Sequence, residues 1–127
     1  MKDVTSWLLG TLMGDGDGKK ATIRELAPGD SVFRLGDPGD YLAVLLVGGV
    51  EIRKGDHIIS VMEPGGIFGE MGLIDGLPRI ADAYAVRHSR IAEVREGQFM
   101  SLVEATPYFS IAIMRLLTER LRRQAET

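Results

Sequence analysis

The sequence predicts a mainly β protein, a double-sheet jelly roll (β-roll) with a short N-terminal helix and C-terminal helices. Three observations lead to this fold class. Short apolar segments follow one another from Ala21 onward, turn signals rich in Gly, Pro and Asp separate them, and the apolar spacing becomes helical after about residue 96. Seven or eight short strands in roughly 75 residues are typical of two packed sheets.

Length and composition are those of a single domain with a core of its own. The chain has 127 residues, of which 45% are hydrophobic and 26% charged. It contains no cysteine, which excludes disulfides and thiolate metal sites in this sequence and fits a cytoplasmic protein. The net charge of −3 argues against a generally nucleic-acid-binding surface. The longest apolar run near the start, Trp7-Leu8-Leu9, is too short for a signal peptide or a membrane span.

The first 20 residues form a separate N-terminal segment in this prediction, ahead of the β-roll and helices at 21–127. Residues 1–13 are expected to form a short helix, and the Gly- and Asp-rich residues 14–20 a flexible turn. The Asp-Gly-Asp-Gly run is similar to the start of a calcium loop. However, Lys19 and Leu26 occupy the fifth and twelfth loop positions, where calcium requires oxygen ligands. The calcium interpretation therefore fails.

The strands that the sequence predicts are separated by Pro-Gly, Gly-Asp and Gly-Gly signals. Residues 41–47 form a continuous apolar run, which indicates a strand buried in the middle of the fold. Residues 54–56 read as a hairpin connection between two neighbouring strands. The predicted strands are 22–26, 31–35, 41–47, 50–53, 57–61, 81–86 and 90–94.

Two helices are predicted at the C-terminal end. A short one opens at Glu96, and Thr106-Pro107 is a start signal for a second that runs to about Gln124. The second helix carries an apolar stripe of Phe109, Ile113, Leu116, Leu117 and Leu121. The stripe can pack on the β-roll, and its leucines can equally bury against a second copy of the helix.

One loop, residues 68–81, carries the residues suited to binding chemistry. Glu70 and Arg79 are its acidic and basic members among Gly and apolar residues. The arginine can grip a phosphate through two parallel N–H···O bonds, and the carboxylate accepts from a hydroxyl donor. A ligand with both a phosphate and a sugar hydroxyl would satisfy both residues. The alternative is a tight surface loop with a structural Glu–Arg pair.

This loop resembles the phosphate-binding cassette of the cyclic-nucleotide-binding domain family. The family pattern runs Phe-Gly-Glu, a few small or apolar residues, a spacer, and Pro-Arg-x-Ala. It appears here as Phe68-Gly69-Glu70-Met71-Gly72-Leu73 and Pro78-Arg79-Ile80-Ala81. The likeness extends from about residue 22 to about 123 and includes the turns at 26–30, 36–40 and 47–52. The N-terminal stretch departs from it, because the family usually begins with a longer helical segment.

The resemblance implies a role for each matching position of the cassette. Glu70 would accept a hydrogen bond from the ribose 2′-hydroxyl with help from the Gly69 backbone, and Arg79 would pair with the cyclic phosphate. The other phosphate oxygens would meet backbone N–H groups near the remaining residues. The complete set of predicted ligand-binding residues is Gly69, Glu70, Met71, Arg79, Ile80 and Ala81.

The ligand is expected to be cyclic AMP, with cyclic GMP as the second candidate. Family members that favour cyclic GMP often carry a threonine directly after the cassette arginine, and Ile80 occupies that position here. A side chain of the C-terminal helix, such as Arg120 or Arg123, could also supply a base contact.

The family also implies a noncatalytic sensor that signals through movement of its C-terminal helix. Its partner would be an effector protein that the sequence does not identify, and a homodimer through the C-terminal helix is a further expectation. Direct nucleic-acid contact, a membrane and a metal cofactor are not expected. No helix-turn-helix module follows the last helix before Thr127. A whole protein would therefore act through a partner, whereas a fragment would have its effector elsewhere.

Three other functions are alternatives to this one. A cupin-like metalloprotein needs clustered histidines, and only His57 and His88 exist, on separate predicted strands. A hydrolase with paired carboxylates could use Glu70 and Asp75, although neither has an evident partner acid or base. A degenerate β-roll that binds a protein rather than a nucleotide is the third alternative.

Overall fold

A computed structural model of the chain describes residues 21–125, and within them the predicted jelly roll is confirmed. Two antiparallel four-stranded sheets pack together, with helices after the last strand. The predicted N-terminal helix and turn lie outside the described residues. In spatial order, the first sheet contains β1 (Thr22–Leu26), β8 (Ser89–Arg95), β3 (Tyr41–Val47) and β6 (Ile67–Phe68). The second contains β2 (Ser31–Phe33), β7 (Asp82–Ala85), β4 (Val50–Lys54) and β5 (His57–Met62). The helices are α1 (Glu70–Asp75), α2 (Glu96–Ala105) and α3 (Pro107–Ala125).

Strand β3 lies at the centre of the fold and is buried on both faces, as its apolar run predicts. Its side chains alternate between two cores because successive residues of a strand point to opposite faces. Ala43 and Leu45 belong to the core between the two sheets. Leu42 and Val44 belong to a second core, which the helices cover. Burial of each such leucine stabilises the fold by about 1.5–3 kcal/mol.

The C-terminal helices close the second core with part of the predicted apolar stripe. Phe109 and Ile113 of α3 are buried there, and the Phe109 ring meets Phe99 of α2 edge-on at 5.5 Å. Leu116 and Leu117 are only partly buried, and Leu121 is 68% exposed. The first residues of the stripe therefore pack on the β-roll, and its last residue is exposed.

Neither α2 nor α3 alone has the length and apolar character needed to cross a membrane, and no other helix in the described part of the chain does. The two helices together have the length and composition of a membrane span, but they are bent by 115° where they join.

The strand boundaries differ from the predicted ones where side chains bind backbone N–H groups. Strand β2 ends at Phe33 rather than at residue 35, because the next two N–H groups bond to aspartates instead of a strand. The Arg34 N–H donates to Asp37, and the Leu35 N–H donates to Asp82. Strand β6 was not predicted, since its two residues are too few to show a period.

Candidate ligand-binding site

The cassette follows β6 and begins with a residue in the left-handed backbone region. Gly69 has a φ of +77° and immediately precedes α1, the short helix of the cassette. Gly72 of α1 lies directly against Gly39, the loop residue that precedes β3. A Cβ atom on either glycine would approach the Cα of the other to 2.8 Å. The backbone of the cassette is therefore packed against the β-roll with no room for a side chain.

A cavity of about 970 Å³ lies between the cassette, strand β5 and helix α3. It is large enough for a small-molecule ligand. All six of the predicted site residues line it. The structure therefore brings residues 69–71 and 79–81, the two halves of the cassette, to one cavity.

Arg79 is held in the wall of this cavity by backbone carbonyls and aromatic rings. Its side chain is nearly closed off, since the residue is only 5% exposed. Nη1 donates to the Gly69 carbonyl and Nη2 to the Tyr41 carbonyl, each at 2.6 Å. The guanidinium carbon lies 4.1 Å from the centre of the Phe33 ring and 4.8 Å from that of Tyr41.

The positive charge of Arg79 has no carboxylate partner in the described part of the chain, residues 21–125. Its buried Nε also lacks a hydrogen-bond partner there. Burial lowers the pKa of the guanidinium, because removal of water disfavours the charged form. Tyr41, Asp40 and Glu70 oppose that shift. An unpaired buried cation of this kind is complementary to an anion.

Glu70 is even more buried, at 2% exposure, and its partner comes from α3. Arg120 donates one N–H to the Glu70 carboxylate and another to the carbonyl of Ile67. The alternative of a surface Glu–Arg pair is therefore wrong for this loop. Both charges are buried, and the ion pair of Glu70 is with Arg120 rather than with Arg79.

The rest of the cavity wall differs in character from one side to the other. Apolar side chains of the cassette and β5 form one part of it: Ile59, Val61, Met71, Leu77 and Ile80. Helix α3 contributes charged and polar side chains: Arg115, Glu119, Arg120, Arg123 and Gln124. A ligand with a flat apolar body and a polar edge would be in contact with both parts.

Three important side chains of the site were missed or misassigned by sequence reasoning. Phe33 and Tyr41 looked like ordinary strand residues, and no local pattern linked either of them to Arg79. Arg120 was named with Arg123 as a side chain that could supply a base contact, and its pairing with Glu70 and Ile67 was not predicted. Arg120 is one of four arginines in α3, and nothing in the local sequence distinguishes it or reveals a partner 50 residues away.

The residues considered for other chemistry are dispersed or have structural partners. No group of three His, Asp or Glu side chains within residues 21–125 is arranged to hold a metal ion. His57 begins β5, whereas His88 lies in the turn before β8 rather than on a strand and meets Glu25 at 3.0 Å. Asp75 accepts a hydrogen bond from the N–H of Leu77 at 2.9 Å.

A comparison with protein families agrees with this geometry. Residues 23–106 match the model of the family described as "Cyclic nucleotide-binding domain". The chain belongs to that family. The match contains every cassette residue discussed above and both rings around Arg79.

Among curated proteins, the chain is similar to the CRP-like cAMP-activated global transcriptional regulator of Mycobacterium tuberculosis. The two are 30% identical over 113 residues, which cover 81% of this chain and 50% of the relative. The chain is also 30% identical to the cyclic AMP receptor protein of Thermus thermophilus, over 49% of that protein. It therefore spans about half the length of these relatives.

Two solved structures share the fold. The catabolite activator protein of Thermus thermophilus superposes with a TM-score of 0.78 at 27% identity, over 83% of this chain and 52% of that one. A structure from work on a cyclic-GMP-dependent signalling pathway in bacterial phytopathogenesis has a TM-score of 0.73 at 28% identity. That match covers 81% of this chain and 85% of the other.

Proposed function

We propose that this chain is a noncatalytic regulatory domain that binds a cyclic nucleotide, cyclic AMP in preference to cyclic GMP, in the 970 Å³ cavity. The observation that carries the proposal is the state of Arg79. An unpaired charge that is removed from water is unfavourable by several kcal/mol. A buried arginine without a counter-ion, in the wall of a ligand-sized cavity, is therefore most readily explained by an anionic ligand.

The cyclic phosphate would bind Arg79 in addition to the two carbonyl acceptors that its terminal nitrogens have in this structure. A phosphate oxygen can bind Nε and one terminal nitrogen together, which would give the orphaned Nε its partner. The remaining oxygens would meet backbone N–H groups of Met71, Ile80 and Ala81.

Glu70 would accept the ribose 2′-hydroxyl, as the family resemblance implies. Arg120 uses only part of the capacity of this carboxylate, because each carboxylate oxygen can accept two hydrogen bonds. The ribose would therefore bind beside the Glu70–Arg120 pair. Ligand occupancy would change the strength of that pair and with it the position of α3. Signalling would then be a shift between two packings of α3 on the β-roll.

The preference for cyclic AMP rests on the position after the cassette arginine. Ile80 lines the cavity and is 60% exposed, so its side chain is available to a base but can neither donate nor accept. A guanine amino group gains nothing from it. The relatives support both ligands, since cAMP activation is stated for the mycobacterial relative and cyclic-GMP-dependent signalling for one structural neighbour.

Isothermal titration of the purified chain with cyclic AMP tests the proposal directly. We expect saturable binding with one site per chain and a competitive displacement by cyclic GMP. Absence of heat and of any thermal stabilisation by either nucleotide would favour the degenerate, protein-binding alternative. A cytoplasmic location and an effector protein as partner are part of the same proposal.

A homodimer through α3 is a second proposal, supported by an exposed apolar face on that helix. Ile111, Met114 and Leu121 are exposed there, and Leu117 at its margin is partly buried. Their spacing places them on one side of the helix, opposite the residues that pack on the β-roll.

Sedimentation of charged variants tests the dimer. We expect a dimer at micromolar concentration and a folded monomer for Leu121→Glu, which alters the dimer face without disturbing the core. The matched control is Ile58→Glu, because Ile58 is also an exposed apolar residue but lies on β5, so this variant should leave the dimer intact. If the wild type sediments as a monomer both with and without nucleotide, the dimer proposal is wrong.

A further inference from the structure

The guanidinium of Arg79 is enclosed by two aromatic side chains that come from different sheets. Phe33 ends β2 in the second sheet, and Tyr41 begins β3 in the first. Both rings are buried, and both lie within 4.8 Å of the guanidinium carbon of Arg79. The guanidinium thus lies between the end of β2 and the start of β3, which belong to different sheets, and it also contacts the cassette through the Gly69 carbonyl.

Tyr41 holds Arg79 by two separate groups. Its ring contacts the guanidinium, and its carbonyl accepts a hydrogen bond from Nη2 at 2.6 Å. The carbonyl of Gly69 fixes the other terminal nitrogen. The two carbonyl acceptors and the Tyr41 ring together fix the orientation of the planar guanidinium. By contrast, Phe33 offers only its ring.

The position of Tyr41 is itself well determined. Its hydroxyl donates to the Val32 carbonyl at 3.3 Å and accepts from Arg24 at 3.5 Å. Its ring also contacts the guanidinium of Arg95, the residue that precedes α2, at 4.8 Å. Burial raises the pKa of the phenol, which keeps the side chain neutral at physiological pH.

We infer that Tyr41 is a positioning residue for ligand recognition: it holds the Arg79 guanidinium in one fixed orientation, so that the arginine distinguishes between the two free oxygens of a cyclic phosphate. The inference rests on the proposed function. A flexible arginine could follow either oxygen, whereas a fixed planar fork meets one of them better. This discrimination depends on Phe33, Tyr41 and Arg79, and it concerns the orientation of the phosphate rather than whether the phosphate binds.

The decisive probes are the Rp and Sp phosphorothioate analogues of cyclic AMP, in which sulfur replaces one or the other free oxygen. Sulfur is a weaker acceptor, so the isomer with sulfur facing Arg79 should bind more weakly. For the wild type we expect a difference of about tenfold or more between the two isomers, roughly the effect of one good hydrogen bond to a charged group. Tyr41→Leu should lower cyclic AMP affinity about tenfold and bring the two isomers to within about threefold of each other.

A conservative variant separates positioning from simple stability. Tyr41→Phe retains the ring and the backbone carbonyl but loses the hydroxyl, so it should lower stability while keeping the isomer ratio of the wild type. Tyr41→Met provides a second variant without a ring if Tyr41→Leu does not fold. An isomer ratio that is near unity in the wild type, or is unchanged in both ringless variants, would overturn the inference.

A measurement without ligand distinguishes failure of this inference from failure of the proposed function. The Nε–H proton of Arg79 is buried, so its NMR signal should exchange slowly in the wild type and in Tyr41→Phe. It should exchange fast in Tyr41→Leu or Tyr41→Met. Equal protection in all variants would overturn the positioning role. Slow exchange in a wild type that binds no cyclic nucleotide would overturn ligand recognition by Tyr41 along with the proposed function.

Discussion

Two buried charges in the same β-roll are satisfied in different ways. Glu93 of β8 is 5% exposed, and each of its carboxylate oxygens meets an arginine: Oε2 meets Arg24 at 3.2 Å and Oε1 meets Arg95 at 3.0 Å. Arg79 is equally buried, but it has only carbonyl acceptors and an orphaned Nε. The charge of Glu93 is balanced by partners within the described chain, whereas the charge of Arg79 is not.

Under the proposed function, this difference separates a buried charge that serves the fold, Glu93, from one that serves a ligand, Arg79. A paired charge contributes to the native state, since removal of one partner leaves another buried charge unbalanced. An unpaired charge is unfavourable in the native state, and a counter-ion from outside can relieve it. We therefore expect substitution of Glu93 to affect stability and substitution of Arg79 to affect binding. The predictions below test this separation.

The largest effect is expected for Arg79→Ala. Loss of the charged partner of the phosphate should weaken cyclic AMP by about 2–4 kcal/mol, roughly 30- to 1,000-fold. Arg79→Lys should recover only part of the affinity, because an ammonium lacks the planar fork. Isothermal titration provides the measurement, and Arg34→Ala is the control because Arg34 is exposed and does not line the cavity. Equal affinity of the wild type and Arg79→Ala would end the binding proposal.

Glu70→Gln sharpens the comparison for the other buried charge of the site. The variant should weaken cyclic AMP by about 1.5–3 kcal/mol, because a hydrogen bond to a charged acceptor is replaced by a weaker one. The same variant should have a much smaller effect on 2′-deoxy cyclic AMP, which has no hydroxyl to donate. Using both ligands separates the ribose contact from any effect of losing the Arg120 partner. Parallel losses for the two ligands would show that Glu70 does not bind the 2′-hydroxyl.

Glu93→Gln should have the opposite effect, on stability rather than on affinity. The free energy of unfolding, measured by urea denaturation of the ligand-free protein, should fall by about 1–3 kcal/mol. Cyclic AMP affinity should change less than about threefold, equivalent to about 0.7 kcal/mol. Arg79→Met, which keeps volume but removes charge, should leave the unfolding free energy within about 1 kcal/mol of wild type.

Glu104→Gln is the matched control for Glu93→Gln, since Glu104 is exposed on α2. This variant should change neither the free energy of unfolding nor the affinity for cyclic AMP. If Arg79→Met destabilised the protein as much as Glu93→Gln, the distinction between the two buried charges would be lost.

The smallest expected effect is on base preference. Cyclic AMP should bind about tenfold more tightly than cyclic GMP, about 1.4 kcal/mol, because Ile80 gives the guanine amino group no partner. Ile80→Thr should narrow this difference by supplying a hydroxyl. Competition of both nucleotides against a fluorescent cyclic AMP analogue measures it. If the wild type shows equal affinities, or if Ile80→Thr gains nothing for cyclic GMP, then Ile80 does not determine the preference.

The sequence by itself determined the features that depend on neighbours along the chain. Alternation and turn residues predicted seven strands at nearly their observed bounds, and the apolar run of β3 predicted its burial on both faces. The cassette motif predicted one binding loop, and all six of its predicted ligand-binding residues line one cavity. These signals are local because secondary structure and tight turns depend on side chains a few positions apart.

Only the tertiary structure decided how the two cassette charges are satisfied. Arg79 meets Tyr41, 38 residues away, and Glu70 meets Arg120, 50 residues away. Such partners are brought together by the packing of sheets and helices, and no periodicity or spacing in the sequence encodes them. The sequence thus provided the two charged residues of the site. The fold determined that Glu70 is paired within the described chain, whereas Arg79 is not, because a buried side chain can find a partner only among the groups that packing places beside it.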